Sequence, residues 1–297
     1  VANGISPSKA STMIFNVPEV TNPNMLIIIG SIIFVIFTLA IGTSNIEFSQ
    51  EIVFIGSFAI ILTLLFKLSN ELDLKAKRML LGTAIIIFAF RAMPGVGQGG
   101  SWFEIDVLGF DQEFLSLLGL IASFLTIIGI FVLRPLMEKS SMTKLIVILS
   151  IAGSFFILPS IAMFYGFHEF TSKITNGLVD ARFIAIFNTA LESPLGQVSM
   201  IPILAWIAQS APNHLKATFF AVLASFTNLA LSASNLGTKY LNQIYVITRE
   251  VKTNLGDVKI PADYSELGIL MIIVCLLTLV VPIGFTFIIK KLRLISY

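Results

Sequence analysis

Long apolar runs alternate with short polar segments along this chain. Eight of the runs approach or exceed the roughly 20 apolar residues that a helix needs to cross a bilayer. They cover Met25–Thr43, Ile52–Leu68, Met79–Trp102, Phe114–Leu136, Leu145–Phe167, Phe183–Ala211, Ala217–Tyr240 and Ile269–Ile289. Membrane β-barrel strands alternate polar and apolar residues over segments of about ten, so these unbroken runs indicate helices. The pattern predicts an all-α polytopic membrane protein with about eight transmembrane helices.

Composition supports the membrane class and excludes several others. Of the 297 residues, 56% are hydrophobic and 12% are charged, which is more apolar than a soluble domain of this size needs. The net charge of +2, with no basic run interleaved with aromatic residues, predicts no nucleic-acid partner. The single cysteine, Cys275, lies inside the last run, and the two histidines are predicted at opposite membrane faces. We therefore expect no disulfide within the chain, no metal and no cofactor.

The charged residues between the runs alternate in sign from one side to the other. The basic side collects Lys67, Lys75, Lys77, Arg78, Arg134, Lys139, Lys144, Lys216, Lys290, Lys291 and Arg293. The acidic side collects Glu47, Glu51, Glu104, Asp106, Asp111 and Glu113. Basic residues accumulate in cytoplasmic loops, so both chain ends, including residues 1–24, are predicted to be cytoplasmic. The expected location is a bacterial inner membrane.

Polar residues inside the runs are the candidates for function. Glu192 lies within an apolar run, and Asn188, four residues earlier, lies on the same helix face. In the next run Ser225, Asn228, Ser232 and Asn235 recur at spacings of three and four, which forms a stripe. The serines are typical of close helix packing. A buried Glu and paired Asn residues are expensive without partners, and they favour a hydrated pathway.

Arg91 is the natural counterpart of Glu192. At about 1.5 Å per residue, Arg91 lies roughly 18 Å from one membrane face and Glu192 roughly 14 Å from the other. Both depths are near the midplane of a hydrocarbon core roughly 30 Å thick. Two interpretations follow: the residues pair with each other, or Arg91 binds an anionic group while Glu192 takes up a proton. Pro94 and the glycines after it predict a broken helix, as in transporters that expose backbone to substrate.

Several short motifs resemble one transporter family. They are the segment Leu191–Pro202 with Met200 and Pro202, the Ala211–Pro212 turn, Ala217-Thr-Phe-Phe-Ala221, Ser225-Phe-Thr-Asn228, Met93-Pro-Gly95 and Leu108-Gly-Phe110. The chain is similar in these motifs to the folate–biopterin transporter family, a branch of the major facilitator superfamily. One departure is that Met200 and Pro202 are separated by a residue, whereas the family pair is adjacent.

The resemblance implies a major-facilitator-type bundle in which two halves rock around a midplane site. Residues 79–297 then form a six-helix C-terminal half, and residues 25–78 form two additional transmembrane helices. These two helices are either an inserted pair or the last two of the N-terminal half. We favour an inserted pair, because only the short link 70–78 follows them. On this basis the chain is a fragment of a 12- or 14-helix transporter, and the missing N-terminal half is its expected partner.

The resemblance also implies roles for individual residues. One wall of the cavity is then formed by Arg91, Asn188, Glu192, Asn228 and Asn235. Arg134, Glu138 and Lys139 occupy the place of the superfamily's charged gating loop, but its Asp-Arg-Gly pattern is absent, which favours a solvated loop.

The expected function is that of a carrier, not an enzyme. The expected partners are the lipid bilayer and a small organic anion such as a pterin or folate, moved by facilitation or by proton symport. The alternative is a non-transporting assembly or scaffold protein on the same fold, as in pigment-complex assembly.

Overall fold

Helices form most of the regular structure in the computed structural model, which describes residues 25–70, 72–195, 201, 216–253 and 257–294. The helices are α1 (Met25–Gly42), α2 (Ser49–Ser69), α3 (Leu74–Arg91), α4 (Gln98–Asp106), α5 (Gln112–Val132), α6 (Arg134–Lys139), α7 (Met142–Phe164), α8 (Phe167–Ile174), α9 (Ala181–Glu192), α10 (Lys216–Ile244) and α11 (Leu267–Lys291). A 3-10 turn, Ser193–Leu195, follows α9. Strands β1 (Val251–Lys252) and β2 (Val258–Ile260) form an antiparallel hairpin between α10 and α11.

Five helices among the described residues are long and apolar enough to cross a membrane. Their spanning segments are Ser49–Lys67, Gln112–Val132, Met142–Phe164, Phe220–Ile244 and Leu267–Lys291. Two shorter apolar helices, Ile28–Gly42 and Leu80–Arg91, lie among them. Large apolar side chains face outward along these helices, for example Phe131, Leu120 and Phe124 on α5. The prediction of an all-α polytopic membrane protein is confirmed.

Two of the eight predicted runs are broken well inside their length, and the fourth and fifth are broken near their ends, at Leu133 and at Tyr165–Gly166. The third run is interrupted between Arg91 and Gln98, as Pro94 predicted. The sixth run was predicted to be helical from Phe183 to Ala211, but α9 ends at Glu192 and gives way to the 3-10 turn. Pro194 lacks the N–H that would continue the α-helical ladder. Residues 196–200 and 202–215, and the predicted N-terminal segment 1–24, lie outside the described part of the chain.

Side-chain caps fix the starts of three helices. The carboxylate of Asp111 accepts a hydrogen bond from the Phe114 backbone N–H at 2.8 Å, and Asp180 does the same for Phe183 at 2.8 Å. Ser141 caps α7 through the Lys144 N–H. Each cap satisfies one of the N–H groups that a helix leaves unpaired at its first turn. The polar links between runs therefore set where α5, α7 and α9 begin.

The core is divided among several helix contacts, with α3 at the centre. Ile86 on α3 packs with Ile146 on α7 and Ile289 on α11. On its other side α3 packs against α10, where Leu80 and Ile87 contact a buried pair of α10 residues, Val222 and Leu223. A separate cluster joins α5, α7 and α9 and comprises Phe110, Phe114, Met163, Ala181 and Ala185. Because α3 is packed on both sides, the break at its end lies within the bundle.

Helices α1 and α2 join this bundle through α10. Ile61 of α2 is buried with Ala84 of α3 and with Phe226 and Leu229 of α10. Gly56 of α2 lies directly beneath the ring of Phe37 of α1, so a side chain at position 56 would collide with that ring. The two additional helices are thus packed against the other helices of the described chain.

Candidate functional site

The break between α3 and α4 is a backbone segment held by side chains of α10. Pro94 cannot continue the helix, and Gly97 adopts φ +79°, which favours glycine. The hydroxyl of Ser234 donates to the Met93 carbonyl at 2.6 Å, and the Gly95 N–H donates to Thr238 Oγ1 at 2.8 Å. Asn242 Nδ2 donates to the Val96 carbonyl at 3.2 Å. Three residues of α10, each one turn apart, therefore satisfy backbone groups that the break leaves unpaired.

Arg91 is the last residue of α3, immediately before this break. Its side chain is partly buried, and its Nε is buried without a hydrogen-bond partner in the described part of the chain. Leaving a buried donor unpaired costs stability. A guanidinium offers several donors in a fixed fork that fits carboxylate and phosphate groups. Arg91 is therefore suited to receive an anionic acceptor.

The polar stripe of α10 is exposed. Asn228, Ser232 and Asn235 are all accessible, whereas the opposite face of the helix buries Val222 and Phe226, among others. Spacings of four and three keep the exposed residues on one side. Exposed amides on a membrane-crossing segment are unfavourable against lipid. This face of α10 is suited to contact water or a polar ligand.

Glu192 and Asn188 lie one turn apart on α9, as predicted from their spacing. Glu192 is exposed into an open groove between α5 and α9, and Asn188 Oδ1 is buried without a partner among the described residues. The groove is lined by Leu118, Gly119, Ala122, Thr126, Thr189, Glu192 and Ser193. At its base the Thr126 hydroxyl donates to the Ser193 carbonyl at 3.0 Å. The groove places one carboxylate beside several hydroxyl groups.

Arg91 and Glu192 do not pair. The two side chains form no ion pair with each other in the part of the chain that the structure describes. Arg91 belongs to α3, which packs against α7, α10 and α11, whereas Glu192 faces the groove between α5 and α9. Of the two interpretations of the sequence, a structural salt bridge between these residues is therefore wrong.

A polar cluster that the sequence did not reveal joins α2 to α10. Lys239 Nζ and the Tyr240 hydroxyl both donate to Glu51 Oε1, at 2.6 and 2.8 Å. The sequence pattern predicts a loop at Glu51, but α2 begins at Ser49 and includes it. Lys239 lies inside an apolar run, Ala217–Tyr240. A lysine inside one apolar run and a carboxylate next to the start of another are the pattern that indicates an ion pair between two membrane helices.

Comparison with known proteins gives the family. The sequence model of the BT1 family matches residues 27–297. The chain belongs to the BT1 family. A curated relative, the folate-biopterin transporter of Synechocystis sp., is 23% identical over 156 residues, which cover 52% of this chain and 30% of that protein. The resemblance to folate–biopterin transporters is thus confirmed, although the match spans less than a third of the relative. No solved structure matches the chain.

The BT1-family match includes α1 and α2 as well as the six later runs. It also includes the predicted gating segment, where Arg134–Lys139 forms the short helix α6 in place of the predicted solvated loop. The side chains of Glu138 and Lys139 lie outside the described part of the structure. The division of the chain at residue 78 and the gating role of these three residues remain predictions.

The hairpin of this BT1-family chain is fixed to the end of α4 by a polar clamp. Arg249 donates two hydrogen bonds to the carboxylate of Asp106, at 2.8 and 2.7 Å, and the Tyr264 hydroxyl donates a third at 2.7 Å. The bonds from Arg249, and then from Tyr264, lower the pKa of Asp106. Desolvation and the bond to Asp106 raise the pKa of Tyr264 to about 12. The clamp thus links the segments that flank the hairpin to the last residue of α4.

Proposed function

We propose that this chain forms part of a membrane transporter that moves a small organic anion of the pterin or folate class by alternating access. BT1 family membership and the folate-biopterin relative support the substrate class. The observation that carries the proposal is the exposed polar face of α10, because a membrane helix has little reason to expose Asn228 and Asn235 unless they line a pathway. The proposal includes a major-facilitator-type architecture for the transporter.

Each candidate residue has a distinct part in the proposed cycle. Arg91 binds the anionic group of the substrate at the break, where the backbone is irregular and held by α10. Asn228 and Asn235 donate and accept hydrogen bonds along the pathway. Glu192 takes up a proton in its groove and couples proton movement to transport. The protein lies in a bacterial inner membrane with both ends of this chain in the cytoplasm, an orientation supported by the alternation of basic and acidic segments.

The test is uptake by the full protein reconstituted in lipid vesicles. Wild-type protein is expected to accumulate labelled folate or biopterin. Asn228→Leu and Asn235→Leu are each expected to lower uptake by about tenfold, the value of one lost hydrogen bond to a ligand. Thr63→Leu is the matched control, since Thr63 is an exposed polar residue of α2 that bonds only its own helix, at the Ala59 carbonyl.

Two results would contradict the proposal. If folded wild-type protein takes up neither compound and copurifies with a stable membrane complex, the chain belongs to a scaffold protein. If both leucine variants transport as well as Thr63→Leu, the polar face of α10 does not line the pathway. Size-exclusion profiles of each variant establish that folding is intact.

A further inference from the structure

In the cluster between α2 and α10, the ammonium group of Lys239 pairs with one carboxylate oxygen of Glu51. Lys239 Nζ lies 2.6 Å from Glu51 Oε1, and the same oxygen accepts the Tyr240 hydroxyl at 2.8 Å. The Lys239 side chain is 35% exposed and that of Glu51 is 14% exposed. The ammonium group therefore keeps donors for a second acceptor.

Lys239 continues the exposed polar face of α10. It follows Asn235 by four residues, as Ser232 follows Asn228, so all four side chains lie on one side of the helix. The helix ends soon after, at Ile244, in the direction of the clamp formed by the hairpin. Among the described residues of α10, Lys239 is the only cationic side chain on this face. It lies at the end of the helix that the charge pattern places outside the cell.

Glu51 has one carboxylate oxygen available to take up a proton. Both bonds go to Oε1, whereas Oε2 is buried and has no partner in the described part of the chain. The titratable groups that face Glu51 from α10 are Lys239 and Tyr240. Helix α2 also packs against α1, which has no ionisable residue between Met25 and Gly42, and against α3, whose ionisable residues are Lys75, Lys77, Arg78 and Arg91. A proton at Oε2 would neutralise the carboxylate and weaken its attraction for Lys239.

We propose that Lys239 is an outer binding point for a carboxylate of the substrate, with Glu51 as its exchangeable counterion. The inference rests on the proposed function and extends it to a second anion site. In the resting state Glu51 neutralises Lys239. Protonation of Glu51 at Oε2 frees the ammonium group, and the substrate carboxylate binds there before it passes along Asn235 and Asn228. Release of the proton restores the pair with Glu51.

Two substrates of different charge separate a binding role from a structural one. Folate carries carboxylates and biopterin carries none, so Lys239→Gln is expected to lower folate uptake by about tenfold and to leave biopterin uptake unchanged. Glu51→Gln is expected to keep folate uptake and to abolish its increase at acidic pH. Arg182→Gln is the matched control, because Arg182 forms an ion pair with Asp111 away from the α10 face and faces no proposed substrate group.

The swapped variant, Glu51→Lys with Lys239→Glu, separates a binding role of Lys239 from a structural role more sharply. It restores an ion pair between α2 and α10, and it is expected to recover thermal stability without recovering folate uptake. Equal losses of folate and biopterin uptake in Lys239→Gln, both recovered by the swap, would overturn the inference in favour of a structural bridge. If Lys239→Gln does not fold, folate uptake by the swapped variant still separates the two roles. Loss of folate uptake supports the binding role, and normal folate uptake supports the structural bridge.

The inference and the proposed function fail in different ways. Uptake of neither compound by the wild type contradicts the proposed function, and the inference falls with it before any variant is made. If the wild type takes up biopterin but not folate, the proposed transport function stands, and the carboxylate site at Lys239 is overturned. An unchanged response to acid in Glu51→Gln overturns the exchange by protonation.

Discussion

Ser234 on α10 donates its hydroxyl hydrogen to the Met93 carbonyl, 2.6 Å away in the break between α3 and α4. A backbone break inside a membrane bundle leaves carbonyl and N–H groups that lipid cannot satisfy. Ser234 and Thr238 supply the missing partners one turn apart. The position of the break, and with it the position of Arg91, is thus fixed from a distant part of the chain.

We expect Ser234→Ala to destabilise the protein by about 1 kcal/mol, the usual net value of one hydrogen bond. The Met93 carbonyl loses its partner, so the end of α3 is held less firmly. Thermal unfolding in detergent measures the effect. Ser232→Ala is the control, since the Ser232 hydroxyl is exposed and bonds only within α10. Equal midpoints for the two variants would show that the bond does not hold the break.

The contact between α5 and the turn after α9 depends on Gly129. A Cβ at this position would collide with the backbone of Pro194, including its carbonyl oxygen. Since backbone cannot rotate away as a side chain does, Gly129→Ala is expected to cost about 1–3 kcal/mol. Gly119→Ala, in the same helix with open space around it, is expected to leave stability unchanged or slightly raised. Similar midpoints for both variants would contradict this packing.

Local sequence features were enough to predict the membrane runs and the interrupted helix. Apolar run length identifies α5, α7 and α11, and Pro94 marks the break without any knowledge of neighbours. The exposed face of α10 also followed from the spacing of Asn228, Ser232 and Asn235. These features depend only on residues close together in the chain.

Contacts between distant segments could not be predicted in the same way. Glu51 lies in the first turn of α2, where the helix N-terminus favours a carboxylate, but its ion-pair partner Lys239 lies far along the chain. Likewise, the spacing of Ser234, Thr238 and Asn242 indicates a stripe, but not that its partner is the break. The hairpin strands have two and three residues, too few for an alternating pattern.

The clamp between the hairpin and α4 is expected to persist from about pH 4 to about pH 10. Asp106 has a pKa lowered from 3.8, so its stabilisation is present above that value and is lost as pH falls through the folded pKa. Tyr264 has a pKa raised from 10.0 to about 12, so its stabilisation is present below 10 and is lost as pH rises towards 12.

A spin label in the hairpin measures this range. Lys259→Cys places the label on exposed β2, in a Cys275→Ser background that removes the natural thiol. Label mobility should increase at both pH limits. Asp106→Asn should remove the acidic transition, and Tyr264→Phe the alkaline one. Constant mobility from strong acid to strong base would mean that the clamp does not hold the hairpin.

Arg91→Ala is expected to lower folate binding by about tenfold or more without loss of thermal stability. The loss of binding reflects a missing charge-assisted contact. Stability should be retained or slightly raised, because the variant removes a buried Nε that has no partner in the described chain. Equilibrium binding and thermal unfolding of the same preparation check both statements. Unaltered binding with reduced stability would indicate a structural role instead.

Glu192→Gln is expected to remove the pH dependence of uptake for folate and biopterin alike. The amide keeps the size and hydrogen bonding of the carboxylate but cannot take up a proton in the groove between α5 and α9. Because the role proposed for Glu192 is in coupling and not in binding the substrate carboxylate, its effect should not distinguish the two compounds, unlike that of Glu51→Gln. Glu169→Gln, at an exposed position of α8, is the control and should leave the pH profile unchanged. A normal pH profile for folded Glu192→Gln would exclude Glu192 as the coupling residue, and an effect on folate alone would place it with the anion site at Lys239.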